Sequence, residues 1–233
     1  MRDIKTTARL AGLFSLLTIL GGGFAQGYVS NRLVDFNSAA RTATNILSHG
    51  RLLHLGFAVY MFEMACQIAA TALFYELFKP VNRSLNLVSA FLSLAGCTIK
   101  AFSRVFFLAP LLVLGYGSPY LNVFSPEQLQ SLSLLLLGIN DRGAAMAMIF
   151  FGFATPLRGY LMFRSTFLPR FLGVLSMVSG LGWLTFLYPP FGYRLFPLTA
   201  GLGLIASAAV ILWLLIKGVD EARWREQAAR VER

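Results

Sequence analysis

The amino-acid sequence predicts an all-α integral membrane protein, a bundle of six transmembrane helices. Of its 233 residues, 57% are hydrophobic and 13% are charged. Soluble domains carry about 25% charged residues, so this deficit indicates a membrane protein. Apolar runs also recur along the whole sequence, each close to or above the ~20 residues that a helix needs to cross the hydrocarbon core. The runs leave no segment with the composition of a soluble domain.

Six spans are predicted in order, and they form one transmembrane domain over residues 1–217. The first begins after a charged start that resembles a signal peptide, but its apolar body continues to about Val29, so we interpret it as a retained helix. Pro156 can kink or end the fourth span. Residues 218–233 are predicted to form a charged cytoplasmic tail, a solvated helical extension of the last span. The predicted spans are 9–30, 52–78, 85–114, 128–157, 168–188 and 195–217.

The basic residues predict the direction in which the chain crosses. Of the 20 Lys and Arg residues, thirteen flank the span ends on the side of the two termini and three lie inside spans. The other four, on the opposite side, are Arg32, Arg41, Arg51 and Arg194. Because cytoplasmic loops are enriched in Lys and Arg, both termini are predicted to be cytoplasmic. The net charge of +10 therefore reflects these loops, and nucleic acid is not a predicted partner.

Four segments resemble one known family. They are RLAGLFSLLTILGGGFA at the start, TATNIL at 42–47, ALFYELFKPVNRSLNLVSAF at 72–91 and IFFGFATPLRGYLMFRSTFLPRFLGVLSMVSGLGWL at 149–184. Together they are similar to the bacterial integral membrane proteins of the domain of unknown function 4386 family. The resemblance implies a six-helix, multi-pass protein of the bacterial cytoplasmic (inner) membrane, with the lipid bilayer as its surroundings. It implies no activity.

Five charged residues interrupt the spans, and each needs a partner or a wet cavity because a charge in hydrocarbon costs at least ~2.5–3.5 kcal/mol. At 1.5 Å per residue, Glu63 and Asp141 lie ~16 and ~20 Å from the outer ends of their spans, and Lys100 ~22 Å from the opposite end. We therefore expect Lys100 to pair with one of the two carboxylates. Arg104, one turn nearer the outside, is the better candidate for a group left free to bind a ligand. The candidate site residues are Glu63, Gln67, Lys100, Arg104, Asn140, Asp141 and Arg142.

Two interpretations of these residues are open. In the first, the charged residues form interhelical salt bridges whose role is structural, namely to fix the register of the helices in the bundle. Alternatively, a polar pocket open toward the outer leaflet would bind or transport a small anionic or polar-headed ligand, or a lipid, or would relay protons through Glu63 and Asp141.

Two other classes of function stay open beside this ligand-binding hypothesis. One is an accessory subunit of a larger membrane complex, and the other is an intramembrane enzyme acting on lipid or isoprenoid substrates. No metal motif, nucleotide-binding loop or nucleophile elbow is present in the sequence, which disfavours the enzyme. No metal site is predicted, and the sequence identifies neither a catalytic residue nor a cofactor.

Overall fold

A computed structural model describes residues 3–115 and 119–231, apart from the side chains of Tyr120 and Val231. Within these ranges the regular structure is entirely helical, which confirms the all-α fold class. Six helical stretches of the described residues are long and apolar enough to cross a membrane, so the protein is a multi-pass membrane protein. These stretches are Ile4–Leu33, Gly50–Phe78, Arg83–Leu114, Pro126–Arg164, Arg170–Leu187 and Pro189–Ile216.

The first span is not one regular helix. A π-helical segment, Gly23–Ser30, follows its first α-helix, and a short α-helix completes it. Short 3₁₀ turns lie at Pro119–Leu121 and Leu184–Leu187. The α-helices in chain order are α1 (Ile4–Gly22), α2 (Asn31–Leu33), α3 (Ala39–Ser48), α4 (Gly50–Phe78), α5 (Arg83–Leu114), α6 (Pro126–Arg164), α7 (Arg170–Trp183), α8 (Pro189–Ile216) and α9 (Glu221–Val231).

Two span ends differ from the prediction by more than five residues, and a proline lies at each of these differences. The fourth span continues through Pro156 to Arg164 instead of ending at residue 157. Membrane helices tolerate an interior proline. The Ser89 hydroxyl of α5 also holds this stretch of α6, because it donates to the Ala154 carbonyl at 2.9 Å. The sixth span begins at Pro189 rather than at residue 195. Proline suits the first helical turn, because the N–H that it lacks has no partner within the helix there.

The chain divides into two compact units, each with its own apolar core. The first unit contains Met1–Leu17, Ala65–Cys97 and Ala145–Arg233, and the second contains Thr18–Met64 and Thr98–Ala144. Buried residues of the first core include Phe74, Phe78, Leu161, Leu172 and Leu214. Those of the second core include Val29, Leu53, Tyr60, Phe107 and Leu137.

Large apolar side chains also cover the outside of both units. Phe91 and Leu198 of the first unit are 61% and 69% exposed, and Phe102 of the second is 66% exposed. Exposed apolar surface on this scale would drive a soluble protein to associate. In a membrane the same side chains face lipid acyl chains and are not exposed to water. Their exposure in the structure therefore agrees with the membrane assignment.

Residues of the C-terminal tail form a separate helix, α9, that packs on the first unit. Gly218 has a φ of 69°, in the left-handed region that favours glycine, and it turns the chain after α8. The Trp224 indole N–H then donates to the Leu77 carbonyl at 2.9 Å. The hydroxyl and the backbone N–H of Thr166 each donate to Gln227 Oε1 at 3.0 Å. Residues 221–231 therefore form a separate helix that contacts the connection between α6 and α7 and the end of α4, and do not continue α8 directly.

We predict that Trp224→Phe loosens this docking. The substitution keeps an aromatic ring but removes the indole donor, so it should lower the free energy of unfolding by about 1 kcal/mol. Limited trypsin digestion of the purified protein should cut within α9 faster than in the wild type. Arg230→Gln, which removes an exposed charge from the same helix, should leave the cleavage rate at the remaining α9 sites unchanged. Equal cleavage of wild type and Trp224→Phe would contradict the docking.

Candidate functional site

Six of the seven predicted site residues lie in the second unit, on three helices. Gln67 is the exception: it belongs to the first unit, where its backbone carbonyl accepts a hydrogen bond from the Thr71 hydroxyl at 2.8 Å. The other six, called the charge cluster below, are Glu63 on α4, Lys100 and Arg104 on α5, and Asn140, Asp141 and Arg142 on α6.

A buried ion pair joins α4 to α5. The Lys100 ammonium donates to Glu63 Oε1 at 2.5 Å, and the two side chains are 14% and 4% exposed. Of the two carboxylates open to Lys100 from sequence, the structure therefore pairs it with Glu63. The second carboxylate oxygen of Glu63, Oε2, is buried and has no hydrogen-bond partner among the described residues.

The end of α1 lies directly against this ion pair. A Cβ atom added to Gly22 would lie 3.1 Å from Glu63 Oε1, closer than side chains usually approach. The absent side chain at Gly22 therefore lets the α1 backbone reach the carboxylate. The π-helical segment Gly23–Ser30 begins at the next residue, and segments of this kind are frequent at functional sites.

Arg104 is the most unusual residue of the charge cluster, because its large cationic side chain is only 2% exposed. Its guanidinium carbon lies 3.7 Å from the centre of the Tyr60 ring, which is close cation–π contact. One terminal nitrogen donates to Asn140 Oδ1 at 2.9 Å. Its Nε atom is buried without a hydrogen-bond partner, and within the described residues no carboxylate lies within 4.0 Å of the guanidinium.

A polar chain extends from Arg104 into the first span. The Tyr60 hydroxyl donates to Gln26 Oε1 at 2.7 Å, and Gln26 lies in the π-helical segment. Asn140, Arg104, Tyr60 and Gln26 thus come from α6, α5, α4 and the first span respectively. Four segments of the second unit are thus linked by one polar chain that includes the guanidinium.

The three consecutive cluster residues of α6 differ in their surroundings, because each residue turns ~100° around a helix. Asn140 is buried against Arg104. Asp141 is half-buried, and it interacts electrostatically with Arg104 and with Tyr60. Arg142 is exposed and lines a surface cavity of about 340 Å³ together with Ala39 of α3 and one face of α6.

A family model for a domain of unknown function, DUF4386, matches residues 10–218, which is most of the chain. The chain belongs to this family. No curated protein and no solved structure matches it.

Glu63 pairs directly with Lys100, whereas Arg104 contacts a ring and an amide and interacts with the Glu63 and Asp141 carboxylates only at longer range. This arrangement suits the binding of an anion or the holding of a proton more than nucleophilic chemistry. Among the described residues, no three His, Cys, Asp or Glu side chains come together as a metal ion would require.

Two members of this polar chain, Tyr60 and Gln26, were not among the site residues predicted from the sequence. Tyr60 lies three residues before Glu63 and therefore on the same face of α4, a spacing that was visible in the sequence. Gln26 is the one amide within the glycine-rich stretch GGGFAQG of an otherwise apolar first span. A polar side chain inside a predicted span was the signal in both positions.

We predict that Lys100→Met destabilises this DUF4386 protein by about 3 kcal/mol, because it leaves the Glu63 carboxylate buried without a cation. Adding Glu63→Gln should recover most of that loss, since the double variant buries no charge at this position. Thermal unfolding in neutral detergent measures both changes. As a matched control, Arg41→Gln breaks the exposed Arg41–Asp35 pair of the same unit and should cost less than 1 kcal/mol. A Lys100→Met protein as stable as the wild type would overturn the assignment of a stabilising pair.

Proposed function

We propose that this DUF4386 protein binds a small anionic or polar-headed ligand at the charge cluster, and that the Arg104 guanidinium contacts it. The observation that carries the proposal is a fully buried arginine without a carboxylate within 4.0 Å among the described residues. Buried cations inside membrane spans are rare and commonly mark ligand or ion pathways. Binding of this kind is also the first step of transport.

The hydrogen bonds of Arg104 support an anionic ligand. A guanidinium has five N–H donors in a planar fork, and it prefers to hold a carboxylate or phosphate with two of them at once. In the described residues, one terminal nitrogen serves Asn140 and the Nε atom has no partner. Tyr60 and Asn140 orient the guanidinium and leave N–H groups free to donate hydrogen bonds to an anion.

The neighbouring ion pair supports a ligand that is polar as well as anionic. Glu63 uses Oε1 for Lys100, while Oε2 remains a buried acceptor without a partner in the described part of the chain. A hydroxyl or ammonium group on the ligand would satisfy that oxygen, as would a proton. The cluster thus offers an N–H donor on Arg104 and an acceptor on Glu63.

We further propose that the protein is located in the bacterial cytoplasmic membrane with both termini inside the cell. Two observations support this placement. The resemblance of its sequence blocks is to bacterial integral membrane proteins, and thirteen basic residues flank the spans on the terminal side against four on the other.

A second candidate function, that of an accessory subunit, is favoured by Arg142. This residue is exposed near the middle of α6, a helix of 39 residues. An exposed arginine at that depth needs a counter-charge, and a carboxylate on the transmembrane helix of a partner protein would supply it. No described feature favours the remaining alternative of an intramembrane enzyme.

For the ligand proposal, we predict that small anions stabilise the wild-type protein through Arg104. The purified protein in neutral detergent is heated with phosphate, acetate or succinate. At a hundredfold excess over Kd, a bound anion should raise the Tm by about 5 °C or more. Arg104→Gln should abolish this rise and Arg104→Lys should reduce it, because lysine keeps the charge but lacks the fork.

Two controls accompany this measurement. Arg41→Gln removes an exposed arginine of the same unit and should keep the full rise in Tm. Tyr60→Phe keeps the ring beneath the guanidinium and loses only the hydrogen bond to Gln26, so it should also respond to anions. If none of the anions stabilises the wild type, or if Arg104→Gln responds as the wild type does, the proposal is wrong.

For the accessory-subunit candidate, we predict that the protein in gently solubilised native membranes migrates as a complex larger than one chain. Arg142→Gln should release it as a single chain, because the ion pair to the partner is lost. Arg51→Gln, which removes another exposed arginine of the second unit, should leave the complex intact. Migration of the wild type as a single chain in detergent would rule this candidate out.

A further inference from the structure

A second charged cavity lies in the first unit, where the first span begins and the sixth span ends. Its volume is about 560 Å³. It is lined by the start of α1, the connection between α6 and α7, the last turn of α8 and the start of α9. The residues that matter for its chemistry are Lys5, Trp213, Lys217, Asp220, Glu221 and Arg223.

The walls of this cavity are held in place by specific contacts. The left-handed turn at Gly218 brings the chain beside α1, so that a Cβ atom there would lie 3.3 Å from Lys5 Cγ. The Asp220 N–H donates to the Phe167 carbonyl at 3.3 Å, and α9 is anchored by Trp224. The lining residues from distant parts of the sequence are therefore brought together by the fold and not by a mobile tail.

The charges that line the cavity do not balance locally. Asp220 pairs with Arg223 at 3.3 Å, and Glu221 pairs with Arg225 at 2.5 Å. The nearby Asp3 carboxylate caps α1, accepting hydrogen bonds from the Lys5 N–H and the Thr6 hydroxyl, and these bonds hold the pKa of Asp3 below its ordinary value. Among the described residues, neither the Lys5 nor the Lys217 ammonium has a carboxylate within 4.0 Å.

The position of the cavity selects the kind of anion. Lys5 and Lys217 lie at the polar ends of α1 and α8, whereas Trp213 lies one turn deeper in α8. Its ring contacts that of Phe171 edge to face at 6.2 Å, and Phe171 is 56% exposed. A polar rim with two ammonium groups thus stands above an apolar wall. A phospholipid has this same order, with its phosphate at the interface and its acyl chains below.

We propose that this cavity binds the headgroup phosphate of an anionic phospholipid through Lys5 and Lys217. Basic pockets at the membrane interface are known sites for such headgroups. The acyl chains extend along Phe171 and Trp213. This site is separate from the charge cluster, and neither proposal depends on the other.

Native mass spectrometry of the full chain in neutral detergent tests the assignment. The protein is titrated with phosphatidylglycerol or phosphatidylcholine carrying identical acyl chains. Wild type should retain phosphatidylglycerol in preference to phosphatidylcholine. In Lys5→Gln/Lys217→Gln the affinity for phosphatidylglycerol should fall roughly 30-fold, as the loss of two interfacial lysines predicts. Lys5→Arg/Lys217→Arg should bind as the wild type does.

The matched control removes two cations from outside the cavity. Lys79 and Arg83 are exposed at the end of α4 and the start of α5 in the same unit. Lys79→Gln/Arg83→Gln should retain phosphatidylglycerol, whereas an equal loss there would show general charge attraction and overturn the site. Unchanged binding in Lys5→Gln/Lys217→Gln would also overturn it. If inorganic phosphate displaces phosphatidylglycerol at equal concentration, the site takes free phosphate and the lipid assignment is wrong.

Discussion

Burial of the Arg104 guanidinium is the constraint on which the arrangement of the second unit depends. A cation that is 2% exposed among apolar helices must be satisfied by neighbours, because unpaired charge in a low-dielectric interior is very costly. α4 supplies the Tyr60 ring and α6 supplies the Asn140 oxygen. A rotation of either helix by one residue would remove its contribution. The position of one side chain thereby restricts the rotation of the helices around it.

The rest of the molecule shows the same excess of positive charge. Its 20 basic residues face only 10 acidic ones, and in the described chain five carboxylates already have a basic partner within 4.0 Å. Many cations must therefore find a counterpart other than a carboxylate. Aromatic rings serve four arginines in the described residues, in the pairs Arg32–Tyr28, Arg104–Tyr60, Arg158–Phe74 and Arg170–Phe163. The anion proposed at Arg104 and the anionic lipid proposed at Lys5 and Lys217 would be counterparts of the same kind.

Much of the fold was predictable from sequence because the length of an apolar run decides whether a helix can span. Span ends were less predictable, since Pro156 and Pro189 have opposite meanings inside and at the start of a helix. For the charge cluster, counting residues gives the depth of a side chain in the membrane but not the direction in which it points around its helix. From depth alone, Lys100 could pair with either Glu63 or Asp141. Tyr60 counts as apolar in a hydropathy pattern, and the docking of α9 depends on one indole and one carbonyl far apart in the chain. Such pairings require the packed structure.

The π-helical segment of the first span has a consequence for comparing members of the family. A π turn is closed by a hydrogen bond over five residues and an α turn by one over four, so the segment absorbs extra residues without breaking the helix. A relative shorter by one residue between Gly22 and Ser30 would wind that stretch as ordinary α-helix. Its counterpart of Gln26 would then point ~100° away from the tyrosine on α4. The length of this short stretch, and not only its residue types, thus marks which relatives share the polar chain to the buried arginine.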